Sequence, residues 1–203
     1  MKIYTPVSVA LRVIIYSLLM FGLAEAVRFD ALFPLEDALF GEISRTELTQ
    51  EFILLVLVIF YLMLGYKHKP VQPVSNLVAL FLLIGFIREF NFLISWWFWP
   101  ALLVLLIAFW LVWRDFKKLK SATQEFFAQP ASAWFFAGFL ITYVFSRLFG
   151  RSKFWLELYD ESNYRMAKAA TEEGLELLGD TFMLISAIEF ALVFWNRKKK
   201  ETT

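Results

Sequence analysis

Acidic and basic side chains at the ends of long apolar stretches are the residues of this sequence that could do chemistry. Glu25 and Arg28 end one such stretch. Arg88 and Glu89 end another, and Arg147 ends a third. Ionisable residues within membrane spans are costly and usually face a bundle interior or a water-filled cavity. We therefore expect these side chains to line an outward-open polar pocket, together with carboxylates that precede the last apolar stretch.

The approach to the last apolar stretch is acidic. Residues three or four apart share one face of a helix, so Glu172, Glu176 and Asp180 would lie together. Glu173 belongs to an overlapping set through its spacing to Glu176 and Asp180. Carboxylates this close repel one another unless cations share the site, and the arginines are the obvious cations. The predicted ligand-binding residues are therefore Glu25, Arg28, Arg88, Glu89, Arg147, Glu173, Glu176 and Asp180.

Three interpretations of this charge cluster are open. In the first, the arginines bind an anionic lipid headgroup or a small charged ligand, bidentately where the ligand carries phosphate. In the second, Glu172, Glu176 and Asp180 bind a divalent cation, because oxygen ligands suit Ca²⁺, Mg²⁺ or Mn²⁺. A water on that metal could then attack a lipid headgroup in a membrane-embedded hydrolase. In the third, the charges form an interhelical salt-bridge network in a structural or sensor subunit of a membrane complex.

A second pair of charges, Arg12 and Glu189, is predicted to lie in the inner halves of the first and last spans. If these spans touch, the two side chains could pair, since a lone charge in hydrocarbon costs about 3 kcal/mol or more. The alternative is that Arg12 extends to the inner headgroups. Leu, Ile, Val and Phe make up the other inner halves, and this composition disfavours a transport path.

The composition excludes several classes of site. The 203-residue chain is 60% hydrophobic and contains no Cys and one His, His68. A soluble domain averages about 45–50% apolar residues, so the excess indicates a membrane protein. Without Cys there is no thiolate metal site or thiol nucleophile, and a single His excludes multi-His metal sites and His-based triads. No cofactor is predicted apart from the divalent cation of the second interpretation, and whether the protein is an enzyme stays open.

The expected partners follow from the same composition. A net charge of +1 gives no reason to expect nucleic acid. We expect a membrane lipid, and either another membrane protein or a second copy of this chain.

Six stretches have the length and apolar character of a transmembrane helix, which needs roughly 17–25 residues. The fold class is therefore an all-α, polytopic transmembrane helix bundle, with one domain over residues 1–203. An amphipathic segment near residues 151–178 is expected on the outer face. The predicted spans are Val7–Leu23, Leu48–Tyr66, Val71–Ile87, Ser95–Trp113, Phe126–Ser146 and Gly179–Trp195.

The distribution of charge predicts the orientation. With both termini in the cytoplasm, the inner side would hold twelve basic residues (Lys and Arg) and three acidic residues. The outer side would hold eight basic and fifteen acidic residues. Short inner loops carry the excess of Lys and Arg, so this asymmetry supports cytoplasmic ends in a bacterial-type inner membrane. The alternative is that residues 1–26 are a cleaved signal, with Lys2 and Arg12 in its basic region, Val13–Leu23 as its apolar region and Ala24-Glu25-Ala26 as the cleavage site.

Overall fold

The computed structural model describes residues 5–35, 40, 43–92, 95–161 and 163–201. Lys2, which belongs to the basic region of the alternative signal peptide, lies outside them. The regular secondary structure of the described residues is helical, with no strand among them. Short 3₁₀ turns cover Lys69–Val71 and Phe90–Phe92, and Ile141–Phe145 is a π-helical segment. The α-helices are α1 (Pro6–Leu32), α2 (Arg45–Lys67), α3 (Gln72–Glu89), α4 (Phe98–Phe127), α5 (Ala131–Leu140), α6 (Ser146–Phe149), α7 (Ser152–Leu156) and α8 (Tyr164–Glu201).

Six helical segments of the described chain are long and apolar enough to cross a membrane. This confirms the predicted all-helical architecture with six candidate spans. The segments are Pro6–Leu32, Arg45–Lys67, Lys69–Glu89, Phe98–Phe127, Ala131–Phe149 and Tyr164–Phe194.

The boundary between the fourth and fifth spans differs from the prediction. Helix α4 continues past Trp113 to Phe127, and the next helix begins at Ala131 rather than at Phe126. The charged residues after Trp113 are good helix formers and do not interrupt a helix. Pro130 does, because proline lacks the amide proton that a continuing helix would use.

The segment near residues 151–178 consists of two helical pieces. The first is α7, which ends at Leu156, and the second is the beginning of α8 at Tyr164. Helix α8 then runs without a break into the last candidate span. Trp155 of α7 is buried, and its indole nitrogen donates a hydrogen bond to the Phe149 carbonyl of α6 over 2.5 Å. An aromatic anchor therefore holds α7 to the end of the fifth span.

The chain forms two compact units. One contains Met1–Gln50 and Phe135–Thr203, and the other contains Glu51–Trp134. In the first unit, α8 lies against α1, α6, α7 and the π-helical segment. The side chains of Leu177, Met183 and Phe190 on α8 are fully or almost fully buried. Helix α8 is therefore the central element of this unit.

Two glycines allow close packing within the first unit. A Cβ atom added to Gly138 of α5 would lie 2.7 Å from Met183 Cγ and 2.9 Å from Met183 N on α8. A Cβ atom added to Gly179 of α8 would lie 2.7 Å from the Gly138 carbonyl oxygen. These distances are too short for a carbon contact, so glycine at both positions is what lets the two backbones approach.

The second unit contains most of α2, together with α3 and α4. Helices α3 and α4 pack along each other, and the 3₁₀ turn Lys69–Val71 also lies against α4. Tyr61 and Phe126 contact each other with ring centroids 6.3 Å apart, and both side chains are buried. Gly65 lies close to α3, where an added Cβ would be 2.7 Å from Asn76 Oδ1. Aromatic and small residues therefore share the interior of this unit.

Polar side chains cap the beginning of α2. Ser44 Oγ accepts a hydrogen bond from the Glu47 amide over 3.0 Å, which is an N-cap interaction. Asp30, at the end of α1, accepts from the backbone amides of Arg45 (2.9 Å) and Thr46 (2.6 Å). A carboxylate at this end of a helix satisfies unpaired amides and faces the positive end of the helix dipole. Asp30 thereby joins the end of α1 to the start of α2.

Candidate ligand-binding site

The best-connected charged cluster joins the end of the fifth candidate span to α8. Arg147 forms an ion pair with Glu176 and lies 3.5 Å from Glu172 through Nη1. Its Nε donates to Ser146 Oγ over 3.2 Å. That hydroxyl donates to the Thr142 carbonyl oxygen over 2.5 Å and lies 3.3 Å from Glu176 Oε1. Lys168 lies 3.4 Å from Glu172. Each nitrogen of the Arg147 guanidinium therefore has a partner within the protein.

A buried polar contact lies next to this cluster. Thr142 Oγ1 donates to Asp180 Oδ1 over 3.1 Å and is 3.3 Å from the Glu176 carbonyl oxygen. Thr142 belongs to the π-helical segment, whose wider turn shifts the helix register before Ser146. Asp180 and Thr142 are both buried. The irregular turn therefore lies where the polar side chains of the fifth span meet α8.

The three carboxylates named as metal candidates have different partners in the structure. Glu172 and Glu176 face Arg147, whereas Asp180 faces Thr142. Among the described residues, no three or more Asp, Glu, His or Cys side chains are arranged to hold a metal ion. Glu173 contacts α2 through its backbone, since its carbonyl oxygen accepts a hydrogen bond from Gln50 Nε2 over 3.4 Å.

Glu25 and Arg28 form a local pair on α1. Arg28 Nη1 lies 2.8 Å from Glu25 Oε2, and the two residues are three apart in the helix. The arginine side chain is largely exposed. An exposed pair of this kind contributes roughly 0–1 kcal/mol, so it adds little to stability.

Arg88 and Glu89 lie in the second unit, at the end of α3. Arg88 Nη2 lies 2.6 Å from Glu89 Oε1, and the Arg88 side chain is 38% exposed. Among the described residues of its unit, the Nε and Nη1 atoms of Arg88 have no hydrogen-bond or ion-pair partner. Among the described residues, Arg88 therefore has two nitrogens without a partner, whereas each nitrogen of Arg147 has one.

Arg12 and Glu189 contact each other directly. Arg12 Nε lies 2.6 Å from Glu189 Oε1, and the Tyr16 hydroxyl donates to the same oxygen over 2.5 Å. Glu189 is 3% exposed, and its Oε2 atom is buried with no hydrogen-bond partner among the described residues. The pair joins α1 to α8. Since the two side chains have opposite charges, each neutralises the other inside the first unit.

Sequence reasoning did not single out Tyr16, Asp30 or Glu51. Tyr16 lies four residues after Arg12, which puts both on one face of α1. The helix start that Asp30 contacts could have been found from the Ser44-Arg-Thr-Glu47 capping signature. Glu51 is the one charge within its apolar stretch, and an intramembrane acid is by default a candidate functional residue. Each residue therefore had a signal, although a weak one.

Comparisons with protein-family models, curated proteins and solved structures give no match to this chain. The fold defines the class, an all-helical protein with six candidate membrane spans. What it does within that class must be argued from its own residues.

Proposed function

We propose that this chain is a multi-pass protein of a bacterial-type inner membrane that binds the phosphate of a lipid headgroup through Arg88. Both termini would be cytoplasmic, which puts the end of α3 at the outer leaflet. The observation that carries the proposal is the partly exposed Arg88 guanidinium, which uses one nitrogen on Glu89 and has no partner for the other two in the described part of its unit.

The chemistry of the guanidinium supports this choice. Its planar arrangement of N–H groups matches the oxygens of a phosphate, and charge-assisted hydrogen bonds of this kind are among the strongest in proteins. Arg88 lies at the end of a candidate span, where lipid headgroups are the most abundant phosphate groups. Glu89 holds one side of the guanidinium, so less side-chain freedom is lost when a ligand binds.

The test is native mass spectrometry of the purified protein with added phospholipid. We expect the wild type to retain phosphatidylglycerol or phosphatidylethanolamine, and Arg88→Gln to bind either about tenfold more weakly, because one charge-assisted contact is lost. A phosphate-free glycolipid should bind poorly to both proteins. Excess inorganic phosphate, added as competitor, shows whether a free anion or a lipid is preferred.

Arg114→Gln is the matched control. Arg114 also precedes an acid on a helix of the same unit, but both its Nε and Nη2 atoms bond to Asp115. We expect Arg114→Gln to bind phospholipid as the wild type does. Equal binding by wild type and Arg88→Gln, or equal binding of the glycolipid, would contradict the proposal.

The second candidate function is that of a structural or sensor subunit of a membrane complex, with a membrane-protein partner or a second copy of the chain. Arg147 favours it, since its nitrogens already contact Ser146, Glu172 and Glu176. In this case no lipid would be retained specifically, and Arg147→Gln would lower thermal stability much more than Arg88→Gln.

A further inference from the structure

Glu51 is a largely buried acid at the same end of its compact unit as the proposed Arg88 site. It lies on α2 in the same compact unit and is 9% exposed. Among the described residues of that unit, it has no hydrogen-bond or ion-pair partner. Helices α2 and α3 are joined by a short turn and meet at Gly65 and Asn76. Glu51 precedes that contact by fourteen residues and Glu89, which pairs with Arg88, follows it by thirteen, or about 20 Å along each helix. Both acids therefore lie at the same end of the helix pair. The burial of Glu51 is therefore not compensated by a cation of its own.

The charge balance of these three side chains constrains the ligand. Arg88 contributes one positive charge, and Glu51 and Glu89 contribute two negative charges, so the group carries −1 in total. Glu89 already takes one side of the arginine. A ligand with negative charge only would bind Arg88 but would leave Glu51 buried beside a second anion, which is unfavourable. A ligand that carries both an anionic and a cationic group can pair with Arg88 and with Glu51.

We propose that the headgroup bound at Arg88 carries a primary ammonium group, so that its phosphate contacts Arg88 and its ammonium contacts Glu51. This inference rests on the proposed function, because the phosphate contact with Arg88 is common to both. The ligand class is an amine-bearing phospholipid. An ammonium group donates three hydrogen bonds and so can satisfy a carboxylate that accepts none from the protein. A trimethylated amine has the same charge but no N–H to donate.

Three lipids with the same acyl chains separate the contributions of charge and hydrogen bonding. Phosphatidylethanolamine has phosphate and ammonium, phosphatidylcholine has phosphate and a trimethylated amine, and phosphatidylglycerol has phosphate and no amine. We expect the wild type to bind phosphatidylethanolamine about tenfold more tightly than either of the others, measured by competition in native mass spectrometry. Equal binding of the three lipids by the wild type would overturn the inference.

Two variants connect the preference to Glu51. Glu51→Gln should bind phosphatidylethanolamine and phosphatidylglycerol equally, while still retaining phospholipid. Glu125→Gln is the control, because Glu125 is another acid of the same unit and already accepts from Gln129 Nε2 over 3.2 Å. It should keep the preference of the wild type. A Glu51→Gln protein that still prefers phosphatidylethanolamine would contradict a contact between its carboxylate and the amine.

The two proposals fail in different ways. If Arg88→Gln binds phospholipid like the wild type, the headgroup site itself is wrong. If Arg88→Gln loses phospholipid but the wild type shows no preference among the three lipids, only the ammonium contact is wrong. The lipid series uses the unmodified protein, so it decides the question even if Glu51→Gln fails to fold.

Discussion

Buried carboxylates show how individual residues of this protein manage charge. Asp30 is 1% exposed and is satisfied mainly by backbone and hydroxyl donors at the start of α2. Glu189 is satisfied on one oxygen by Arg12 and Tyr16. Glu51 has neither kind of partner among the described residues of its unit. Since an unpaired buried charge is far more costly than a paired one, the difference separates structural acids from a candidate ligand contact.

Leucine substitutions test whether Arg12 and Glu189 stabilise each other. Arg12→Leu and Glu189→Leu should each lower the free energy of unfolding by about 3–5 kcal/mol, because each leaves one buried charge alone. The double variant should be much closer to the wild type, since it leaves no charge behind. Thermal unfolding in detergent, with a double-mutant cycle, measures the coupling.

Arg114→Leu serves as the control for that cycle. It removes an exposed pair with Asp115, so its effect on stability should be small. Strictly additive losses in the double variant would show that Arg12 and Glu189 do not depend on each other.

At the scale of the elements, the first unit depends on how closely α5 and α8 approach. Gly138 and Gly179 make that approach possible, and the π-helical segment follows directly after α5. The register change produced by the π turn precedes Ser146 and Arg147, which contact α8. Close packing through α5 and charge pairing through α6 therefore both stabilise the contact of the fifth candidate span with α8.

Glycine substitutions test this packing. Gly138→Ala should destabilise the protein by roughly 1–3 kcal/mol, because the added methyl group would overlap atoms of Met183. Gly174→Ala, on α8 with no atom within 4 Å of the added Cβ, should be neutral or should stabilise the helix by up to about 1 kcal/mol. Thermal unfolding of the two variants under the same conditions gives the comparison. Similar melting temperatures would argue against a tight contact at Gly138.

At the scale of the whole molecule, cysteine labelling tests the orientation in the membrane. The chain contains no Cys, so a single introduced cysteine is the only reactive thiol. Lys69 and Glu157 are both exposed and lie in segments predicted to face opposite sides. We expect an impermeant maleimide to label Glu157→Cys in intact cells and Lys69→Cys only after permeabilisation. The reverse pattern would place both termini outside, and labelling of both in intact cells would contradict the six-span arrangement.

The sequence by itself determined the helical class, the six candidate spans and the places where charge accumulates. These features are local, because apolar stretches of sufficient length form helices in a membrane whatever their neighbours are. Helix boundaries were less well determined, as Phe126 shows, because a helix continues past a polar stretch until a residue such as Pro130 stops it.

The tertiary structure decided which charge meets which. Arg12 and Glu189 are 177 positions apart, and only the contact of α1 with α8 brings them together. The same applies to Arg147, whose nitrogens contact Ser146, Glu172 and Glu176, whereas Arg88 has two nitrogens without a partner among the described residues. Local periodicity places a side chain on a helix face but does not say which helix packs there. That choice depends on close backbone contacts such as Gly138 with Gly179, which only the folded protein contains.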